Sequence, residues 1–407
     1  MSTSALKISP AQIMQDLVGR SAVREAFRFF EDQADEITEQ QIEICSIPAS
    51  PFGEQKRAEY LRDKFIEIGL SEVTIDQVGN CLGLLAGESG STLMVVSAHL
   101  DTVFPPDTDF TVRKKEGKLF APGISDDGCG LVALTTLARL LKEMGIDGSV
   151  LFVGTVGEEG EGNLRGVRYL FTESSWAKRI DCFLSFDGHG VDRITNRALG
   201  SRRYRVTVSG PGGHSWGDFG IPNPVHAIGR AISRLVSYPL PKARTTFNVG
   251  KVQGGVSVNS IPSEASMEVD LRSSDADELR RLDAYFRRSL HEAFEQENSG
   301  RKHGDAALCM RVDLVGERPG GETAPNSIIV ELATEASRFV GVEPKLEQSS
   351  TDSNLPISLG IPALTLGAGG TAASSHTLDE WYDPKDRDLG LKRGLLTILG
   401  VVGLARR

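Results

Sequence analysis

Cysteine is sparse in this chain: Cys45, Cys81, Cys129, Cys182 and Cys309 are odd in number and never fall in CxxC spacing. A disulfide scaffold is thereby excluded, and the thiols are expected to be reduced, as in a large intracellular protein. No apolar run approaches the ~18 residues that span a bilayer, and the first residues lack a charged-then-apolar leader pattern. The expectation is a cytoplasmic protein with no membrane partner. Basic runs are missing as well, and 45 Lys+Arg stand against 55 Asp+Glu, a formal charge of -10. Without a stripe of cations to track phosphates, nucleic acid is not an expected partner.

What is present suffices for a large folded chain. Hydrophobic residues make up 40% and charged residues 25% of the 407, a balance that buries a sizeable core and excludes disorder. At roughly 150 residues per domain, the length implies about two to three domains. Short apolar runs closed by Gly or Asp alternate with helical spacing through the first half. Residues 93–98, 149–156 and 182–186 read as buried strands, and 131–141 as a helix. The fold class is therefore α/β, with a mostly parallel sheet covered by helices on both faces. From about Ala198 the texture changes to strands of alternating polarity at 204–208 and 265–271, with helical stretches at 224–237 and 277–297. After Gly316-Glu317-Arg318-Pro319-Gly320-Gly321 the α/β rhythm resumes, with a helix at 327–340 and a strand at 363–366. The predicted organisation is an α/β domain built from 1–197 and 318–407, interrupted by an α+β module at 198–317. The first forty residues read as amphipathic helix packed on the body, without chemistry. Internal repeats and low-complexity segments are not evident.

Chemistry-bearing residues gather at strand ends. His99-Leu100-Asp101 follows directly on a strand, and residues two apart in extended chain point the same way. One can bind a metal while the other supports it, since a ligating imidazole usually donates its second ring N–H to an acceptor; a polar loop with a satisfied histidine fits the tripeptide equally. Asp126-Asp127-Gly128 precedes the helical run, where an aspartate is first of all an N-cap. Gly157-Glu158-Glu159-Gly160 closes another strand, and adjacent carboxylates face different ways, so one can bind metal while the other serves as a general base. Alone, the stretch would read as a solvated acidic loop. Asp187-Gly188-His189 ends a third strand, and His376 sits in a Gly-rich loop at 369–381. Ligands of open α/β sheets collect beyond the carboxyl ends of strands, so these pieces converge on one rim. His226, His291 and His303 lie in helical or charged stretches and are read as structural or solvated.

Taken together these stretches resemble the two-zinc metallopeptidase family of glutamate carboxypeptidase, aminoacylase, tripeptidase and succinyl-diaminopimelate desuccinylase. The resemblance rests on Ser97-Ala98-His99-Leu100-Asp101-Thr102, Gly123-Ile124-Ser125-Asp126-Asp127-Gly128, Gly157-Glu158-Glu159-Gly160 and Asp187-Gly188. It extends through Gly212-Gly213-His214-Ser215, Asn259-Ser260-Ile261-Pro262, Asp270-Leu271-Arg272 and Ser375-His376-Thr377. It implies that His99, Asp126 and Asp187 hold one metal, and Glu159, His376 and a shared Asp126 the other. Such a donor set suits Zn²⁺, two per chain, with Co²⁺ or Mn²⁺ as substitutes. By the same resemblance Glu158 is the general base, Asp101 the orienter of His99, and His214 an oxyanion donor supplied across a homodimer by a lid module. Arg272 and Asn259 would hold the substrate's carboxylate or backbone. The chain departs from the pattern at Gly128, where many relatives carry Lys.

The function implied is hydrolysis of short peptides by a metal-activated water, with Glu158 returning the proton to the leaving amine. An N-acyl-amino-acid amidohydrolase or carboxypeptidase needs the same chemistry and differs in which end of the substrate is gripped. A catalytically silent relative would show a damaged base or ligand, and none is damaged. The stretches Ser350-Thr351-Asp352-Ser353-Asn354 and His376-Thr377-Leu378-Asp379-Glu380-Trp381 look closer to tripeptidases, and Asp352 is a candidate partner for a substrate ammonium or a turn-forming residue.

Overall fold

The computed structural model describes residues 8–240, 244–300 and 306–405. Contacts divide the chain into two compact units, one formed by 1–198 with 322–407 and the other by 199–321. The first unit is built on a sheet that runs Ser71–Ile75, Cys81–Leu85, Ser149–Thr155, Leu93–His99, Cys182–Phe186, Ala363–Leu366 and Arg193–Ala198. Its four central members are mutually parallel; Cys81–Leu85 and Arg193–Ala198 attach to them antiparallel, and Lys345–Ser349 joins Arg193–Ala198 in parallel. The apolar runs of the sequence are these central strands. They are nearly continuous because both faces are covered: Met94, Val96, Val150, Phe152 and Leu184 pack into one core, and Leu93, Val95, Leu151, Val153 and Phe183 into another.

Helices supply those covers. The larger core takes side chains from Pro10–Gly19, Ser21–Asp32, Ala34–Cys45, Gln55–Ile68, Gly128–Met144, Ile328–Phe339 and Arg387–Val402, the smaller from Arg165–Thr172 and Asn354–Ser358. The N-terminal segment is helical and buries Met14, Leu17, Val23, Ala26 and Phe30. Its first helix opens with Pro10 behind Ser9, whose hydroxyl accepts the Gln12 N–H at 3.2 Å, a favoured start for a helix. Four cysteines are buried, Cys309 is exposed, and all five are free thiols.

The Gly-rich stretch at 369–381 is more ordered than a loop. Thr371–Ala373 and Trp381–Asp383 pair antiparallel and continue through Lys118–Phe120 to Arg113–Lys115 in a small separate sheet. Strands of three residues carry too little alternation to be recognised locally, and Trp381 meets Phe120 only through tertiary pairing.

In the second unit the strands run Thr245–Gly254, Glu264–Ser273, Gly200–Ser209 and Cys309–Arg318, all antiparallel. Alternate residues Tyr204, Val206, Val208 and Ala265, Met267, Val269, Leu271 face a core closed by Pro224–Leu235 and Ala276–Ser299. Asn223 and Asp275 cap the two helices, accepting N–H groups of Val225 and Glu278 at 2.9 Å each. The outer strands were hidden because Thr245–Gly254 is largely exposed toward its end and Cys309–Arg318 mixes charged with apolar residues. His226 and His291 are exposed, and His303 lies outside the described residues.

Candidate metal centre

Three neighbouring parallel strands deliver the first pieces. Leu93–His99 ends on His99, which pairs in register with Thr155 at the end of Ser149–Thr155, and Cys182–Phe186 ends one residue before Asp187. Beyond Thr155 the chain turns through Gly157 at φ 65°, where a Cβ would overlap the Arg165 side chain. Only glycine meets both conditions, and the turn sets Glu158 and Glu159 at the strand end. Asp126 comes from the loop before Gly128–Met144, and His376 from the turn between Thr371–Ala373 and Trp381–Asp383.

Asp126 stands at the centre. Its Oδ1 lies 2.9 Å from His99 Nε2, and its Oδ2 lies 2.9 Å from His376 Nε2. The same His376 nitrogen is 2.9 Å from Glu159 Oε1. Ligand atoms of His99, Asp126 and Glu159 fall within 4.8 Å of one another. On the other side of His99, Nδ1 is 3.0 Å from the Asp101 backbone carbonyl. A carbonyl only accepts, so Nδ1 keeps its hydrogen; in the metal-free chain Nε2–H donates to the Asp126 carboxylate, and loss of that proton frees the Nε2 lone pair for a cation.

The electrostatics suit a cation. Burial acts against a charged His99, yet the Asp126 hydrogen bond and the charges of Asp127, Asp126 and Asp187 hold its pKa well above the ordinary value. Burial likewise opposes ionisation of Asp126, but the hydrogen bonds from His376 and His99 win and hold it well below the carboxylate range. His376 is pushed up to about 10 by its bonds to Asp126 and Glu159. Asp187, pressed by burial and then by the Asp126 charge, rises to about 7. Two imidazoles thus face more carboxylate than they neutralise, and this oxygen-and-nitrogen donor set fits a divalent transition cation.

The neighbouring aspartates divide the two roles that one motif suggested. Asp127 is the N-cap of Gly128–Met144: its Oδ1 accepts the N–H of Gly130 and of Gly188, and its Oδ2 that of His99, each at 3.1 Å. Asp101 is fully buried, and its carboxylate accepts the N–H groups of Glu158 at 3.0 Å and Glu159 at 2.8 Å. That carboxylate stands 3.8 Å from His99 Nδ1, so the imidazole's hydrogen-bond partner is the Asp101 carbonyl instead. Asp352 is also buried and accepts the Thr155 hydroxyl at 2.5 Å.

Support for the Asp126 loop comes from residues that the motifs did not single out. Gln41 donates to the Ile124 carbonyl at 2.7 Å, the Cys129 thiol to that of Ser125 at 3.0 Å, and the Cys45 thiol to that of Gly123 at 3.7 Å. Glu380 takes the loop's N–H groups. Gln41, Cys45 and Glu380 act across the fold, so nothing in their local sequence marks them, while Cys129 reaches back one helical turn. Arg57, buried without exposure, donates to the carbonyls of Leu100 at 2.7 Å and Ile47 at 2.6 Å and steadies the turn between His99 and Asp101.

His214, Asn259 and Arg272 belong to the second unit. His214 is exposed, and its Nδ1 accepts the N–H groups of Trp216 at 3.2 Å and Gly217 at 3.3 Å. Its strand Gly213–His214 pairs with Ser260–Ile261, and Ser215 N–H donates to the Asn259 carbonyl at 3.0 Å, so His214 and Asn259 share one loop pair. Arg272 Nε donates to Asp270 at 2.6 Å.

Comparison with known proteins identifies the family and the fold. The chain is 25% identical over 352 residues to the uncharacterised protein YqjE of Bacillus subtilis (strain 168), covering 82% of this chain and 90% of that one. A tripeptidase from Staphylococcus aureus subsp. aureus mu50 shares the fold at TM-score 0.74 and 22% identity, covering 90% of this chain and 99% of that chain. YXEP of Bacillus subtilis, described as a dinuclear metal-binding peptidase of the M20 family, superposes at TM-score 0.69 and 16% identity, covering 92% and 100%. Residues 95–398, which include the candidate ligands from His99 to His376, match peptidase family M20/M25/M40, and the chain belongs to that family of metallopeptidases.

Proposed function

We propose that the chain is a metal-dependent exopeptidase of the cytoplasm that hydrolyses short peptides, in the manner of a tripeptidase or aminopeptidase. The observation that carries this reading is Asp126, held between His99 and His376 with Glu159 beside it. His99, Asp126 and Asp187 would hold one cation, and Asp126, Glu159 and His376 a second, with Zn²⁺ the expected ion and Co²⁺ or Mn²⁺ as substitutes. When bound, such cations polarise a carbonyl and lower the pKa of water. Glu158, nearly buried beside Glu159, takes a proton from the attacking water and passes it to the departing amine. Asp101 fixes the backbone of that adjacent pair, so base and ligand keep their separate directions. We assign the second unit the role of lid and homodimer contact, with His214 supplied to the partner's site as oxyanion donor and Arg272 and Asn259 to the substrate's carboxylate and backbone.

Glu158→Gln is expected to leave Zn²⁺ binding near normal while lowering kcat by about 100-fold or more. Glu159→Gln should weaken metal instead. The opposite pattern would reverse the two assignments.

A second reading, an N-acyl-amino-acid amidohydrolase or carboxypeptidase, is favoured by one observation. Asp352, the candidate partner of a free ammonium, is 1% exposed and bonded to Thr155. Kinetics on a tripeptide and its N-acetylated form separate the readings: faster cleavage of the acetylated peptide would establish the second.

A further inference from the structure

We infer that Glu380 is a positioning residue that holds the Asp126 loop in register with His376, a role that rests on the metal-site reading above. Glu380 lies four residues beyond His376, immediately before the strand Trp381–Asp383, and it has no exposed surface. Its carboxylate accepts four hydrogen bonds, all from the segment that leads into Asp126. Oε2 accepts the Gly123 N–H at 2.8 Å, and Oε1 accepts the Ser125 N–H at 2.8 Å, the Ser125 hydroxyl at 2.6 Å and the Asp126 N–H at 3.1 Å. Its own carbonyl accepts the Ala121 N–H at 3.2 Å.

Every partner of this carboxylate is a donor, so an ionised carboxylate is the side chain that satisfies both ends. Glutamine would turn an NH₂ group toward one set of donors and lose those bonds. Bonds to a charged acceptor are also the stronger kind, which matters where a loop must hold a ligand still. One side chain thereby joins two loops that are distant in sequence, and those loops carry the atoms that meet at Asp126 Oδ2 and His376 Nε2, 2.9 Å apart. The hydroxyls of Ser125 and Ser375, 3.4 Å apart, add a second tie between the same loops. His376 itself sits at φ 66° and Ser374 at φ 60°. Left-handed conformations of this kind persist in non-glycine residues when surrounding contacts hold them, and Glu380 anchors the C-terminal end of that turn.

The test is Zn²⁺ affinity, measured by competition with a chromophoric chelator on metal-stripped full-length protein, beside thermal melting of the same samples. Glu380→Ala and Glu380→Gln should lower affinity about 10–100-fold, the range for groups that orient metal ligands. With added Zn²⁺, kcat should fall more than KM changes. Ser125→Ala, which removes one bond and keeps the carboxylate, should give a smaller loss in the same direction and serves where the Glu380 variants do not fold. Variants that melt lower yet bind Zn²⁺ within twofold of wild type would overturn the proposal, because a purely structural role moves the melt alone. Asp126→Asn distinguishes the two levels of the argument. If it too binds like wild type, the metal-site reading fails; if it loses Zn²⁺ while the Glu380 and Ser125 variants do not, only the role of Glu380 fails.

Discussion

The space beside Gly128 is filled by Cys45. A Cβ built on Gly128 would overlap the Cys45 sulfur and stand 2.9 Å from the Gly123 carbonyl oxygen. Cys45 is fully buried, so its short side chain has no open space to swing into. Overpacking of this kind costs about 1–3 kcal/mol, offset by up to ~1 kcal/mol because alanine suits a helix better than glycine. Gly128→Ala should therefore destabilise the metal-free protein by about 1–2 kcal/mol. Cys45→Ala removes the sulfur and leaves a Cβ 3.9 Å from the new methyl, an ordinary contact. In that background Gly128→Ala should cost about 1 kcal/mol less, the remainder reflecting the Gly123 oxygen. Urea unfolding of wild type, both single variants and the double variant gives the coupling directly. Two groups in contact couple by about 0.5–3 kcal/mol, whereas independent sites add to within ~0.5 kcal/mol. Strict additivity would refute the claim that Cys45 excludes a side chain at position 128. Gly128→Lys brings the same Cβ and should be no better tolerated.

Metal binding should release protons. His376 is raised from its ordinary 6.5 to about 10 by its bonds to Asp126 and Glu159, so between those values the folded metal-free chain holds a proton that the unfolded chain lacks. The stabilisation is complete below pH 6.5 and disappears as pH rises through about 10. At pH 8 a cation must displace that proton; calorimetry in buffers of different ionisation enthalpy should detect the release, and buffer-independent heats would contradict it. Asp101→Asn keeps one acceptor for the Glu158 and Glu159 N–H groups and turns an NH₂ toward the other. It should lower kcat about tenfold or more and weaken Zn²⁺, while ¹⁵N spectra still show His99 protonated at Nδ1, because the carbonyl that accepts from it is unchanged. Loss of that tautomer would return the orienting role to the carboxylate.

The central sheet was legible because its strands are buried on both sides. Residues 93–98 and 182–186 are apolar runs interrupted only by Ser97 and Ser185 and need no neighbour to be recognised, and Leu93–His99 and Cys182–Phe186 lie side by side in the sheet. The small sheet of Arg113–Lys115, Lys118–Phe120, Thr371–Ala373 and Trp381–Asp383 carries no such signal. Lys115 and Thr371 are exposed, and the two local hairpins meet only where Trp381 pairs with Phe120, some 260 positions away. The outer strand Thr245–Gly254 carries a weak signal for a related reason: its last residues all face solvent, so no buried face imposes a pattern on them.

The candidate site follows the same division between what a side chain is and what it meets. Carboxylates and imidazoles at strand ends announce themselves by type and place, and His99, Asp126, Glu159 and His376 do lie within hydrogen-bonding reach as a group. The sequence leaves open which atom of a residue acts. Asp126 and Asp127 are indistinguishable by type, yet one faces two imidazoles and the other accepts three backbone N–H groups. At Asp101 the residue predicted to orient His99 does lie against it, but through a backbone carbonyl that any amino acid would supply, while its carboxylate secures the backbone of Glu158 and Glu159. A side chain's identity at position 101 is therefore required by the turn at 158–159 rather than by the histidine. Carbonyls and N–H groups are common to all residues, so partnerships that use them leave no mark in the sequence. The same holds for Glu380, whose partners are three N–H groups and a serine hydroxyl.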